Sequence, residues 1–129
     1  VREGSGELSP FCRVALIGDR LVAALRLTPI NVGGRSGALL LGPLAVDPDE
    51  AGRGYGRRLV AEFFDIARAE GIAVVVLVGD MAYYGRFGFA PVPPGQIRLP
   101  GPVDPARLLA AELQPGALAG FRGLVARAA

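Results

Sequence analysis

Apolar positions recur along this chain with two periods, and each change of period marks an element. Phe11 to Ile17 and Leu21 to Leu27 are short, mostly apolar runs. Gly18-Asp19-Arg20 between them has the composition of a turn, so the segment predicts an antiparallel hairpin. Asn31 to Gly37, with three glycines, predicts a loop. Ala38 to Val46 predicts a third strand, apolar almost throughout but interrupted by Gly42-Pro43, a pair that predicts a bulge or a break in pairing. Asp47-Pro48-Asp49 ends it.

From Gly54 to Glu70 the period becomes helical. Leu59, Phe63, Ile66 and Ala67 share one face, with Val60 and Phe64 beside it, and Arg57, Arg58, Glu62, Asp65 and Arg68 lie mainly opposite. Gly71 is placed to stop this helix. Ile72 to Val78 then shows no alternation at all, which predicts a strand buried on both faces and therefore parallel to a neighbour. Strand, glycine-rich loop, helix and buried strand make a βαβ unit. Asp80 can cap a short helix from Met81 to Phe87 that ends near Gly88. Beyond it, a stretch rich in proline and glycine reaches Pro105 and reads as a surface connection. Ala106 to Leu113 fits a short helix or a strand, Gln114-Pro115-Gly116 a turn, and Leu118 to Ala126 a last strand.

Composition narrows the chemistry. The 129 residues make one domain, 1–129, with 1–10 expected to be flexible. The chain has no His and one cysteine, Cys12, which excludes a Ser-His-Asp triad, a Cys-His pair, and a histidine or thiolate metal site. A lone cysteine suits a reducing cytoplasm, and no apolar run approaches the ~18 residues of a membrane span, so no membrane partner is expected. All fourteen basic residues are arginine, yet the net charge is only +2, and no interleaving of aromatic and basic residues points to nucleic acid.

The densest positive charge sits at the helix mouth. Gly52, Arg53, Gly54, Tyr55, Gly56, Arg57 and Arg58 follow one another, with no acid between Ala51 and Ala61. Unpaired amides and the helix dipole favour an anion there, and glycines let a phosphate reach the backbone. A glycine-rich turn before a solvated helix is the alternative. The P-loop pattern fails for want of lysine. The dinucleotide fingerprint fails because its third glycine would fall on Arg57 or Leu59, although Asp80 at the next strand end has the place of a ribose-binding acid.

"VDPDEAGRGYGRRL" resembles the signature of the GNAT superfamily of acyl-CoA-dependent N-acyltransferases. That signature is Val-x-Pro at a strand end, then (Gln/Arg)-x-x-Gly-x-(Gly/Ala) leading into a helix. It falls on Val46, Pro48, Gly54 and Gly56, with Ala51 in place of Gln or Arg. "YGRFGF" is similar to a second motif of the family, Tyr-x-x-x-Gly-Phe, at Tyr84, Gly88 and Phe89. "GDMAYYGRFGF" and "AELQPGALAGFRG" resemble a YhbS-like bacterial branch, and the likeness runs from Phe11 to Gly123.

The resemblance implies an α/β fold (α+β in some schemes), with a mixed, mostly antiparallel central sheet and a parallel pair around the coenzyme A site. It implies amides from Gly52 to Arg57 on the pyrophosphate, with Tyr55 exposed or flanking the nucleotide. The backbone of Leu44, Ala45 and Val46 would pair with the pantetheine arm, and an amide near Val46 would polarise the thioester carbonyl. The cofactor is acetyl-CoA, the acceptor a small-molecule or protein amine, and Tyr84 the general acid. Some members carry a Glu base on the strand equivalent to Leu39 to Val46. That strand has no carboxylate here, which leaves Asp80, or water, as the base, and Asp80 as a helix cap is the alternative. The family fold begins with one more strand and two helices, whereas only Val1 to Pro10 precede the first hairpin here. The likeness is thus to an N-terminally shortened version, with a fragment of a longer chain as the alternative; if the chain is complete, its uncovered sheet favours a homodimer. A non-catalytic acyl-CoA-binding or interaction module is the competing reading.

Overall fold

Strand β2 (Arg20–Val32) is the axis of the sheet. It pairs antiparallel with β1 (Arg13–Ile17) near one end, with β8 (Gly123–Arg127) near the other, and with β3 (Arg35–Val46) along its opposite edge. This computed structural model describes residues 13–17, 20–50, 54–101 and 103–127. Phe11, Cys12, the Gly18-Asp19 turn and the segment 1–10 lie outside them.

The β2–β3 hairpin is longer than the sequence predicts. Asn31 to Gly37 is not a loop: β2 runs on to Val32 and β3 starts at Arg35, so the turn is Gly33-Gly34 alone. Both have positive φ, 56° and 85°, the pair of conformations a two-residue hairpin turn requires. The remaining glycine, Gly37, stays in the strand with φ 99°, where the register slips by one residue.

From β3 the chain passes through a short 3-10 turn (Pro48–Glu50) to helix α1 (Tyr55–Ala69), then to β4 (Val74–Val78). Helix α1 stops as expected. Gly71 takes φ 83°, its amide donates to the Arg68 carbonyl and the Ile72 amide to the Ala67 carbonyl, the pairing of a Schellman end. Ile66 is only half-buried, while Val60 is fully buried, so the buried stripe is rotated slightly from the expected one. Strand β4 is parallel to β3 and antiparallel to β7 (Leu108–Glu112), which settles Ala106 to Leu113 as mainly strand.

Short helix α2 (Met81–Tyr84) runs into a 3-10 turn (Gly85–Phe87), and Gly88 closes it with φ 99°. The proline-rich stretch contributes two-residue strands, β5 (Ala90–Pro91) on β7 and β6 (Ile97–Arg98) on β8. The stretch read as one last strand divides into a 3-10 turn (Ala117–Gly120) and β8. The sheet order is β5-β7-β4-β3-β2-β8-β6, with β1 beside β2: a mixed, mostly antiparallel sheet with the parallel β3–β4 pair at its centre.

Two cores follow from the alternation in β4. Val75 and Leu77 pack under α1 with Leu41, Leu59 and Phe63. Val74 and Val76 face the other way, into a core closed by Phe121, Val125 and Ile97. Val74 to Leu77 are all 0% exposed, which is why the run shows no polar position. Among the described residues no helix is long and apolar enough to cross a membrane.

Candidate active site

The parallel strands β3 and β4 are in register only from Ala38 and Val74 to Leu41 and Leu77. Beyond that point they part. β3 continues, with Leu44, Ala45 and Val46 held against Leu25, Ala24 and Ala23 of β2, while Val78 at the end of β4 stays with Leu108 of β7. The cause lies at Gly42-Pro43. Between Leu41 and Leu44 strand β3 holds one residue more than its partner, and proline has no amide hydrogen to donate. Among the described residues, 42–46 therefore carry one backbone edge with no strand against it. An extended molecule with amide groups of its own can pair along such an edge.

The mouth of α1 lies on the face of the first core. Gly54 is its N-cap, left-handed with φ 83°, and among the described residues no side chain caps the helix. The Gly54 carbonyl accepts the Arg58 amide at 3.0 Å, so the amides of Tyr55, Gly56 and Arg57 stand ahead of the first helical bond. Arg57 and Arg58 are exposed, and the first turn has no acid. Amides, dipole and guanidinium groups all favour an anion here. Of the two expectations for Tyr55, exposed or flanking the nucleotide, full exposure does not hold: it is half-buried against the core beneath α1. Gly52 and Arg53 lie outside the described residues.

The third part is the turn after β4. Asp80 is exposed, and its Oδ1 accepts the Ala82 amide at 2.9 Å, so it does cap α2. The Tyr84 amide donates to the Asp80 carbonyl at 2.9 Å. That turn delivers the Tyr84 ring onto the strand end, against the core that Tyr55 also touches. Tyr83 is packing, as its position predicts. It meets Tyr84 edge to face, with ring centroids 5.0 Å apart, and the Arg86 guanidinium lies over its ring at 4.9 Å. The Tyr84 hydroxyl has no hydrogen-bond partner among the described residues, so it is not a satisfied core phenol. Burial, and to a lesser degree the neighbouring Tyr83, raise its pKa above the ordinary tyrosine value. It is therefore protonated throughout the neutral range.

Sequence reasoning reached Asp80 and Tyr84 but missed Gly79. Its only sequence signal is a Gly-Asp that ends an apolar run. In the fold Gly79 is buried beneath the Tyr84 ring, and its amide donates to the Arg107 carbonyl at 2.9 Å.

The sequence profile of the acetyltransferase (GNAT) family matches residues 3–89. Over 107 residues the chain is 34% identical to an uncharacterized N-acetyltransferase, YhbS, of Escherichia coli strain K12, covering 82% of this chain and 64% of that one. The crystal structure of YhbS in complex with CoA matches with a TM-score of 0.81 at 32% identity, over 89% of this chain and 65% of that one. A GNAT family acetyltransferase from Brucella melitensis in complex with acetyl-CoA matches with a TM-score of 0.69 at 28% identity, over 92% and 66%. The chain thus spans just under two thirds of the length of each.

Proposed function

The chain belongs to the acetyltransferase (GNAT) family, and we propose that it is an acetyl-CoA-dependent N-acetyltransferase that passes an acyl group directly from the thioester to an amine. The observation that carries this reading is the parting of β3 from β4 beyond Leu41 and Leu77, beside an open helix mouth and a phenol with no hydrogen-bond partner among the described residues.

The parts suit that ligand. The amides of Tyr55, Gly56 and Arg57, with Gly52 and Arg53 before them, are the binding elements for its pyrophosphate. The free edge at Leu44, Ala45 and Val46 pairs with the amides of the pantetheine arm, as an added strand would. Bound acetyl-CoA supplies an activated acyl group. An amide near Val46 donates to the carbonyl oxygen as negative charge develops there, an electrostatic role worth ~2.7–4 kcal/mol per donor. The amine nitrogen forms its bond to the carbonyl carbon, and the carbon–sulfur bond breaks. Tyr84 Oη gives its proton to the leaving sulfur, which a phenol held neutral at working pH can do. The amine proton passes to Asp80 or to water. No protein nucleophile is used.

This reading takes 1–129 as one domain and the cytoplasm as its compartment. It takes a small-molecule or protein amine as acceptor and a homodimer as the assembly, the last checked by light scattering. Binding is tested by thermal unfolding with acetyl-CoA, using NAD as control. A ligand at ~100 times its Kd adds ~2.7 kcal/mol of stability. A rise in Tm with acetyl-CoA alone supports the site. No rise, or an equal rise with NAD, would remove it. Binding without transfer to any amine would favour the non-catalytic acyl-CoA-binding module instead.

A further inference from the structure

Gly79 joins β4 to α2, and space rather than backbone conformation dictates its identity. Its φ lies outside the left-handed region, so an L-residue could adopt its backbone. A β-carbon there would stand 2.5 Å from Tyr84 Cε2, 2.8 Å from Tyr84 Cδ2 and 3.1 Å from Leu77 Cδ1. The Tyr84 ring thus lies directly on the Gly79 α-carbon. Leu77 is 0% exposed and has nowhere to retreat. The Gly79 backbone cannot yield freely either, because its amide is tied to the Arg107 carbonyl at 2.9 Å. The ring is also flanked by Tyr83, with centroids 5.0 Å apart, by Phe89 at 6.0 Å and by Phe87 at 6.3 Å.

We propose that Gly79 is the positioning residue of the Tyr84 phenol: the missing side chain lets the ring rest on the end of β4, and that seat sets where the hydroxyl stands at the parting of β3 and β4. The proposal rests on the reading of Tyr84 as the general acid. A β-carbon would have to push the ring outward by about 1 Å to restore ordinary van der Waals distance, and a displacement of that size can cost ~10²-fold in rate. Proton delivery needs a heavy-atom distance of roughly 2.6–3.2 Å.

The test uses Gly79→Ala, Tyr84→Phe, Tyr84→Ala and the double variant Gly79→Ala/Tyr84→Ala. Thermal unfolding reads the seat without any acceptor. Gly79→Ala should lower Tm when Tyr84 is present and lose most of that effect in the Tyr84→Ala background. A single variant that fails to fold beside a double variant that folds gives the same answer. An equal loss in both backgrounds, or none in either, overturns the proposal. Acetyl transfer is then followed with acetyl-CoA and the most rapidly acetylated member of a panel of primary amines. Gly79→Ala should lower kcat ~10²-fold and leave the KM for acetyl-CoA unchanged. Wild-type kcat in Gly79→Ala, with a large loss in Tyr84→Phe, overturns the positioning role alone. Wild-type kcat in Tyr84→Phe overturns the acid reading on which it rests.

Discussion

Asp80 Oδ1 accepts the amide hydrogen of Ala82 at 2.9 Å, and this side-chain bond joins the backbone bonds to the Asp80 carbonyl in tying the end of β4 to the helix that carries Tyr84. It gives Asp80 a structural role that can be separated from any chemical one. Asp80→Asn keeps a capping oxygen and should leave stability unchanged. Asp80→Ala should cost ~1 kcal/mol, the usual loss of such a cap. Urea unfolding measures both. If Asp80 also takes the amine proton, Asp80→Asn slows transfer while remaining fully stable, because an amide is no base. If turnover is unchanged in Asp80→Asn, water is the base.

Gly54 tests the helix mouth. Nothing stands within 4 Å of where its β-carbon would be, so the effect of Gly54→Ala comes from its left-handed φ of 83°. That conformation costs ~1–2 kcal/mol for an L-residue with a side chain. The variant should lose that much stability, or relax the cap and turn the first amides of α1 away. In either case affinity for acetyl-CoA, measured by calorimetry, should fall.

Tyr84 should be visible in an alkaline absorbance titration. The Tyr84 phenol, whose pKa is raised by burial, should ionise in a late step above the ordinary tyrosine value. That late step should vanish in Tyr84→Phe. The sign for stability follows from linkage. Below the ordinary tyrosine pKa the phenol is protonated in both folded and unfolded chains. As pH rises from that value through the higher folded one, the unfolded chain gives up its proton first, and stability falls. The alkaline limb of kcat should likewise lie above the ordinary tyrosine value.

Gln96 tests what closes the second core. It is buried, and its Nε2 donates to the carbonyls of Leu118 at 2.7 Å and Phe121 at 3.1 Å. Gln96→Met keeps the volume but takes the donor from the buried Phe121 carbonyl, while the Leu118 carbonyl still accepts the Phe121 amide at 3.0 Å. One buried carbonyl left so costs ~1–3 kcal/mol, the loss expected in urea unfolding. Acetyl-CoA affinity should not change, since Gln96 serves the face opposite α1.

The central crossover was legible because local signals there agree with tertiary ones. Helical spacing, Gly71 and the unbroken run to Val78 each have one reading, and burial of both faces of β4 confirms it. The Gly42-Pro43 bulge was legible for the same reason, since proline cannot complete a ladder. The β2–β3 hairpin was not. Three glycines look like a loop, and all three have positive φ; only the strand pairing distinguishes two that turn from one that sits in a bulge. Leu108 to Glu112 fits helix and strand alike, and its pairing with β4, distant in sequence, decides. The two-residue strands β5 and β6 exist only through their partners. At the site, Asp80 and Tyr84 announce themselves by local motif. Gly79 does not, because its role depends on where a ring five residues on comes to rest.

The measurement that tests the account most directly is thiol release from acetyl-CoA with a panel of primary amines, comparing the wild-type chain with Tyr84→Phe at saturating acetyl-CoA. The account predicts amine-dependent release by the wild type. In Tyr84→Phe it predicts a loss in the ~10²–10⁴-fold range of a general acid, with acetyl-CoA affinity retained. Equal release by both proteins, or amine-independent release alone, would contradict it.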